Sequence, residues 1–154
     1  MKISATDSVY VLIQFILFVL FLFEIKTFQF SIPKYIESLS IALLLLSIIF
    51  LLTAFLQLNK NLSPFPTPVK NSQLITNGVF KISRHPIYTA IIGGAFSLGL
   101  LLGSGYKLAL AAVFLLFFYF KTHYEEQKLV ERFPEYKDYK KKTGRFLTLF
   151  LFKK

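Results

Sequence analysis

SLSIALLLLSIIFLLTAFLQL, residues Ser38 to Leu58, holds 21 positions without a charged side chain. At 1.5 Å per residue such a helix rises about 31 Å, the thickness of a bilayer's hydrocarbon core. This stretch decides the fold class, and the rest of the chain is read outward from it. On its N-terminal side, Val9 to Phe23 is apolar except for Gln14. Lys2 and a short apolar run suggest a signal peptide, but no cleavage-site pattern of small residues follows. The segment is therefore expected to be a first membrane helix, about 9–25. On the C-terminal side, Pro86 to Gly105 is the third expected span. The fourth, about 107–126, has a purely apolar part of only 13 residues, Leu108 to Phe120. That part rises about 20 Å, short of a bilayer core. Its helical pattern continues through Lys121-Thr122-His123-Tyr124-Glu125-Glu126 toward Phe133. Ionisable groups near membrane depth are costly and mark a functional site by default.

The expectation is an all-α polytopic membrane protein. Its single domain, 1–154, has four transmembrane helices, a loop at 59–85 and an interfacial helical segment at 127–154. The composition agrees. The chain of 154 residues is 55% hydrophobic, with 19 Phe, and its mean hydropathy is +0.58. A soluble domain of this size has too little interior to hide that much apolar surface. The net charge of +10 suits a chain held against anionic headgroups. Nucleic acid is the competing partner for a basic chain, but these basic residues flank apolar spans and form no soluble basic domain. There is no Cys, which excludes disulfides, thiolate metal sites and Cys nucleophiles. With only two His, no metal site is expected.

Four spans place the N-terminus, the 59–85 loop and the C-terminal segment on one side. That side carries 15 Lys and Arg residues and the other carries 3. The excess predicts cytoplasmic termini. Between the second and third spans lies Pro64-Phe65-Pro66-Thr67-Pro68, which must be extended. It reads equally as a stiff lid or a plain linker. The third span carries Gly99-x-x-x-Gly103, a close-packing spacing.

Two polar clusters stand out. Arg84-His85-Pro86-Ile87-Tyr88 follows the turn signal Asn77-Gly78. Pro86 suits the first turn of a helix, so the residues before it sit at a helix N-terminus, a site for a carboxylate. The alternative is an Arg that snorkels to headgroups and a His that caps the helix. The second cluster is Tyr119, His123, Glu125 and Glu126. Tyr119, His123 and Glu126 share a helix face, and Glu125 lies about 100° round from Glu126. Adjacent carboxylates near the membrane boundary require a cation or donors. A solvated helix end paired with Lys121, Lys128 or Lys142 is the plainer reading. Beyond them, Tyr136 and Tyr139 with flanking lysines suit a helix in the interface. Arg145 either folds back toward the site or anchors to headgroups.

These strings carry a resemblance. Arg84-His85-Pro86-Ile87-Tyr88 resembles the R-H-P-x-Y motif of the isoprenylcysteine carboxyl methyltransferase family, within the phospholipid methyltransferase superfamily. Leu74 to Arg84 resembles its lead-in. Glu125-Glu126-x-x-Leu129, then Phe133 through Tyr136 and Tyr139 to Arg145-Phe146, resembles its tail. The departures are Ala90, Pro134, Gly144 and Thr148, which change turns more than chemistry. The resemblance covers roughly 59–149 and implies a membrane-embedded methyltransferase. It implies S-adenosylmethionine as cofactor, bound between the ends of the last two helices and the C-terminal segment. The cofactor-binding candidates are His85, Pro86, Tyr88, Tyr119, Glu125 and Glu126. The catalytic candidates are Arg145, Arg84 and His123. The implied acceptor is a lipid or lipidated carboxylate, with a phospholipid amine as the alternative. An NADPH-dependent sterol reductase and a non-enzymatic membrane protein are the remaining readings.

Overall fold

The computed structural model describes residues 4–70 and 72–147. Lys2, Thr148 and the rest of 148–154 lie outside the described residues. Among the described residues five α-helices follow in order: α1 (Ala5–Leu22), α2 (Lys34–Leu58), α3 (Pro86–Leu101), α4 (Gly105–Arg132) and α5 (Tyr136–Lys142). Among the described residues there is no β-strand, only an isolated bridge between Gln29 and Ser104. The chain is all-helical, and α1, α2 and α4 are each long and apolar enough to cross a membrane.

Local chemistry sets the helix ends. Ser4 Oγ accepts from the Asp7 amide at 3.1 Å and Asp7 Oδ2 accepts from the Ser4 amide at 2.9 Å. This reciprocal box satisfies two otherwise free donors at the start of α1. α2 is apolar all round. Leu45, Leu46, Ile49, Leu52 and Leu56 all stand exposed, as expected for a surface whose solvent is lipid.

The expected third span, 86–105, is shorter in the structure. α3 has 16 residues and ends at Leu101, a rise of about 24 Å. The cause is Gly103, whose φ of +56° is left-handed. Its amide donates to Leu100 O at 2.9 Å and that of Ser104 to Gly99 O at 2.9 Å, the double bond pattern that closes a helix at glycine. Ser104 then caps α4, its Oγ accepting from the Lys107 amide at 3.1 Å. A Cβ at Gly103 would stand 2.0 Å from Phe30 O, so the turn also packs on the 23–33 connection.

α3 is the inner helix. Gly93 and Gly94 face Ser47 of α2, which lets the two backbones approach. Its other side, Ile92 and Ala95, joins Leu17 of α1 and Ala111, Phe114 and Phe118 of α4 in the buried core. α1 and α4 run antiparallel. Tyr124 Oη lies 3.3 Å from Ser4 Oγ at one end, and at the other Tyr106 Oη donates to Leu20 O at 2.9 Å. α5 turns Tyr136 and Tyr139 inward and leaves Lys137, Lys141 and Lys142 outward.

Candidate active site

The site begins with one carboxylate. Glu126, on α4, is only 1% exposed, and a buried charge must be paired and hydrogen-bonded. Its Oε1 accepts from Arg84 Nε at 2.9 Å and lies 2.8 Å from Arg84 Nη2. His85 Nε2 is 3.2 Å from the same oxygen. Oε2 faces Lys140 Nζ at 3.0 Å and Arg145 Nη2 at 3.4 Å. Arg84 completes its fork through Nη1, which donates to Lys140 O at 2.8 Å and Thr143 O at 2.9 Å.

Backbone bonds fix the same junction. The amides of Arg84 and His85 donate to Gly144 O at 3.0 Å and Arg145 O at 3.2 Å. Ser83 Oγ donates to Arg145 O at 3.0 Å and Thr89 Oγ1 to Phe146 O at 2.8 Å. The segment 140–146 is thereby sewn to the start of α3 and the inner face of α4. Arg145 folds back, as one of its two readings expected.

Glu125 differs from its neighbour. It is 22% exposed at the side chain and lines a cavity of about 380 Å³. Tyr88 Oη donates to Glu125 Oε2 at 3.1 Å, and His85 Nδ1 is 3.9 Å from the same oxygen. Tyr88 stacks on Phe118 with ring centroids 4.5 Å apart. Arg84, His85, Pro86, Ile87 and Tyr88 all line this cavity. No side chain caps the N-terminus of α3, so first-turn amides remain open for an anion.

One wall of the cavity is the strap Pro64–Pro68. Thr67 Oγ1 donates to Asp7 Oδ2 of α1 at 2.7 Å. Lys121 Nζ donates to Pro64 O at 2.9 Å and to Gln14 Oε1 at 2.5 Å, and sits 5.1 Å from the Tyr88 ring centroid. Ser72 Oγ and Tyr136 Oη are buried among the lining with no hydrogen-bond partner among the described residues. Tyr139 Oη donates to Phe80 O. Burial holds the Tyr136 and Tyr139 phenols above the ordinary tyrosine range, so both keep their protons at neutral pH.

The structure brings together Arg84, His85, Pro86, Tyr88, Glu125, Glu126 and Arg145. Tyr119 and His123 stand outside the cavity lining. Tyr119 is 51% exposed, and its ring lies 4.6 Å beneath the Arg145 guanidinium. His123 is exposed, with Gln127 Nε2 at 3.3 Å from its Nε2. The helix face shared with Glu126 is real: Arg145 reaches Tyr119 at one end of it and Glu126 at the other, and His123 between them is left exposed. Asp7, Gln14, Thr67, Ser72 and Lys121 were absent from the candidates. Gln14 carried a signal, as the one polar side chain within Val9 to Phe23.

Residues 36–136 match the family model described as phospholipid methyltransferase. The cobalt-zinc-cadmium resistance protein CzcN of Cupriavidus metallidurans is 32% identical over 78 residues, 50% of this chain and 36% of that protein. The solved structure of a eukaryotic intramembrane Ras methyltransferase, isoprenylcysteine carboxyl methyltransferase, superposes with a TM-score of 0.69 at 20% identity. That superposition covers 97% of this chain and 54% of the other. The chain thus spans about a third of the length of its curated relative and about half of the solved one.

Proposed function

We propose, because the chain belongs to the phospholipid methyltransferase family, that it is a membrane-embedded S-adenosylmethionine-dependent methyltransferase. Its acceptor is a lipid-like or lipidated molecule, and a carboxylate is favoured. The observation that carries this reading is the cavity beneath the uncapped start of α3, with Glu125 and Tyr88 in its wall.

The residues fit the cofactor. The open amides of Ile87 and Tyr88, in the turn that Pro86 begins, suit its carboxylate, and Glu125 suits its ammonium. The unpartnered hydroxyls of Ser72 and Tyr136 suit the hydroxyls and ring nitrogens of its nucleoside. Phe80 and Phe133 in the same lining supply apolar faces for its base. When bound, S-adenosylmethionine supplies an electrophilic methyl group on a sulfonium, whose carbon–sulfur bond breaks with the electron pair retained by sulfur.

The chain's own residues then act by holding and orienting. Arg84 and Arg145, both engaged by Glu126, fix the junction of α3, α4 and the 140–146 segment. They shape the site, where positioning is a large part of catalysis of an in-line displacement. An ammonium acceptor needs a general base within hydrogen-bond reach. His85 stands between two carboxylates and His123 points away from the cavity, which favours an acceptor that is already an anion. A phospholipid amine is the second reading, with Glu125 freed to act as base. The proposal includes four spans, with α3 crossing as the short inner helix, and cytoplasmic termini from the Lys and Arg count.

The experiment is cofactor-dependent methylation of a total lipid extract by the purified chain, with mass spectrometry of the product. Titration with S-adenosylmethionine and with NADPH runs alongside. Methyl esters are expected. N-methylated headgroups would replace the carboxylate reading, and binding of NADPH alone would sink the methyltransferase.

A further inference from the structure

Lys121 has no exposed surface, yet its side chain lies in the cavity wall with Gln14 and Pro64. Both hydrogen-bond partners are neutral carbonyl oxygens. Among the described residues, no carboxylate lies within ion-pair distance of it. Asp7 of α1 turns Oδ2 to Ser4 and Thr67 and keeps Oδ1 without a partner, and Glu125 turns Oε2 to Tyr88; both attract the ammonium from a distance, but neither closes an ion pair with it. A buried ammonium without a counter-ion is costly, more so at membrane depth. The other cations near the cavity differ: Arg84, Lys140 and Arg145 all pair with Glu126.

Position along the helices adds a second argument. Lys121 and Glu125 are four residues apart on α4, so they share a face about 6 Å apart along the axis. Lys121 is nearer the apolar end. Beyond it the wall becomes Phe18, Phe55 and Ile91. From one end to the other the cavity therefore presents a carboxylate, then an unpaired ammonium, then hydrocarbon. An amphiphile with an anionic head and an apolar tail matches the last two of these in order.

We propose that Lys121 is the residue that selects an anionic methyl acceptor. Its ammonium, held between Gln14 and Pro64, takes a carboxylate oxygen of the acceptor where the Pro64 carbonyl now stands. Three of the five strap residues are proline and cannot donate a backbone hydrogen bond, so few bonds hold the strap against this exchange. The exchange replaces a neutral partner by a charged one, the stronger bond in a dry site. This inference rests on the methyltransferase reading and names the residue that selects its acceptor.

The test measures saturable binding of radiolabelled oleate, oleyl alcohol and oleylamine to the full chain in detergent, with and without S-adenosylhomocysteine. The wild type is expected to prefer oleate to both. In Lys121→Met the preference for oleate over oleyl alcohol should fall by about 10-fold or more, the worth of a charge-assisted hydrogen bond. Lys121→Arg should retain it. A wild type that binds oleylamine or oleyl alcohol as well as oleate overturns the proposal, and that result holds whether or not the variants fold. An unchanged preference in Lys121→Met also overturns it. Each preference is a ratio within one protein, so general loosening cancels. Affinity for S-adenosylmethionine should be unaltered in Lys121→Met. If it drops while the oleate preference stays, the ammonium serves the cofactor carboxylate and the proposal is wrong. A wild type that prefers oleate but binds no S-adenosylmethionine leaves Lys121 as an anion contact and sinks the methyltransferase reading alone.

Discussion

Arg84 and Glu126 form a buried ion pair, Nη2 to Oε1 at 2.8 Å, between the lead-in to α3 and the inner face of α4. Two further cations and a histidine converge on the same carboxylate. Removing its charge leaves Arg84 buried without a counter-ion, at a cost of about 3–5 kcal/mol. Glu126→Gln is expected to lower the melting temperature in detergent by roughly 10 °C. A melting curve superimposable on that of the wild type would show that the junction does not depend on this pair.

Glu125→Gln should behave differently. Its carboxylate is partly open to the cavity and its one close donor is Tyr88. Affinity for S-adenosylmethionine is expected to fall about 10- to 150-fold, the loss of one charge-assisted hydrogen bond, with little change in melting. Titration of both glutamate variants side by side separates the two roles. Equal cofactor affinity in Glu125→Gln and the wild type would remove Glu125 from the binding site.

His123→Ala is expected to leave both turnover and cofactor affinity within twofold of wild type, because the ring is exposed and its neighbour is Gln127. A complete loss of turnover with intact binding would restore His123 as a base and favour an amine acceptor.

Gly103→Ala should destabilise the protein while Gly94→Ala should be tolerated. The first residue has a left-handed φ and would set a Cβ 2.0 Å from Phe30 O. The left-handed conformation alone costs about 1–2 kcal/mol, and the backbone contact adds to it. At Gly94 the nearest atom to an added Cβ is 3.8 Å away. Thermal melting of both variants checks the contrast.

Single cysteines at Ser31 and Lys70, both exposed, test the topology. Position 31 should react with an impermeant reagent on intact cells and position 70 only after permeabilisation. The reverse pattern would invert the orientation.

Much of the site was legible because two short strings carry it. Arg84-His85-Pro86 and Glu125-Glu126 hold the residues that meet. Which glutamate is sealed and which is open was not legible. They are neighbours about 100° apart on one helix, and the choice depends on where the 140–146 segment docks. Lys121 was read only as a possible partner of the glutamates for a similar reason: its partner Gln14 is 107 positions away, and neither residue announces the other. The tyrosines of α5 carried a pattern that fits an interface equally well. Both turn inward, Tyr139 onto the acceptor that Phe80 O offers and Tyr136 into the cavity lining. The end of α3 was misplaced by a few residues, since nothing in a run of five glycines marks Gly103 as the one that turns.

Arg84 and Glu126 are separated by 42 positions, and Lys140 and Arg145 come later still. At about 5–20 residues per second a ribosome completes Arg84 roughly 2–8 s before it reaches Glu126. During that interval α3 is already a nascent segment while the guanidinium at its entrance has no counter-ion. Assembly of the junction is therefore a late event in biosynthesis, and a translational stall between positions 132 and 140 would hold the chain with α1 to α4 synthesised and Lys140 and Arg145 still missing from the junction.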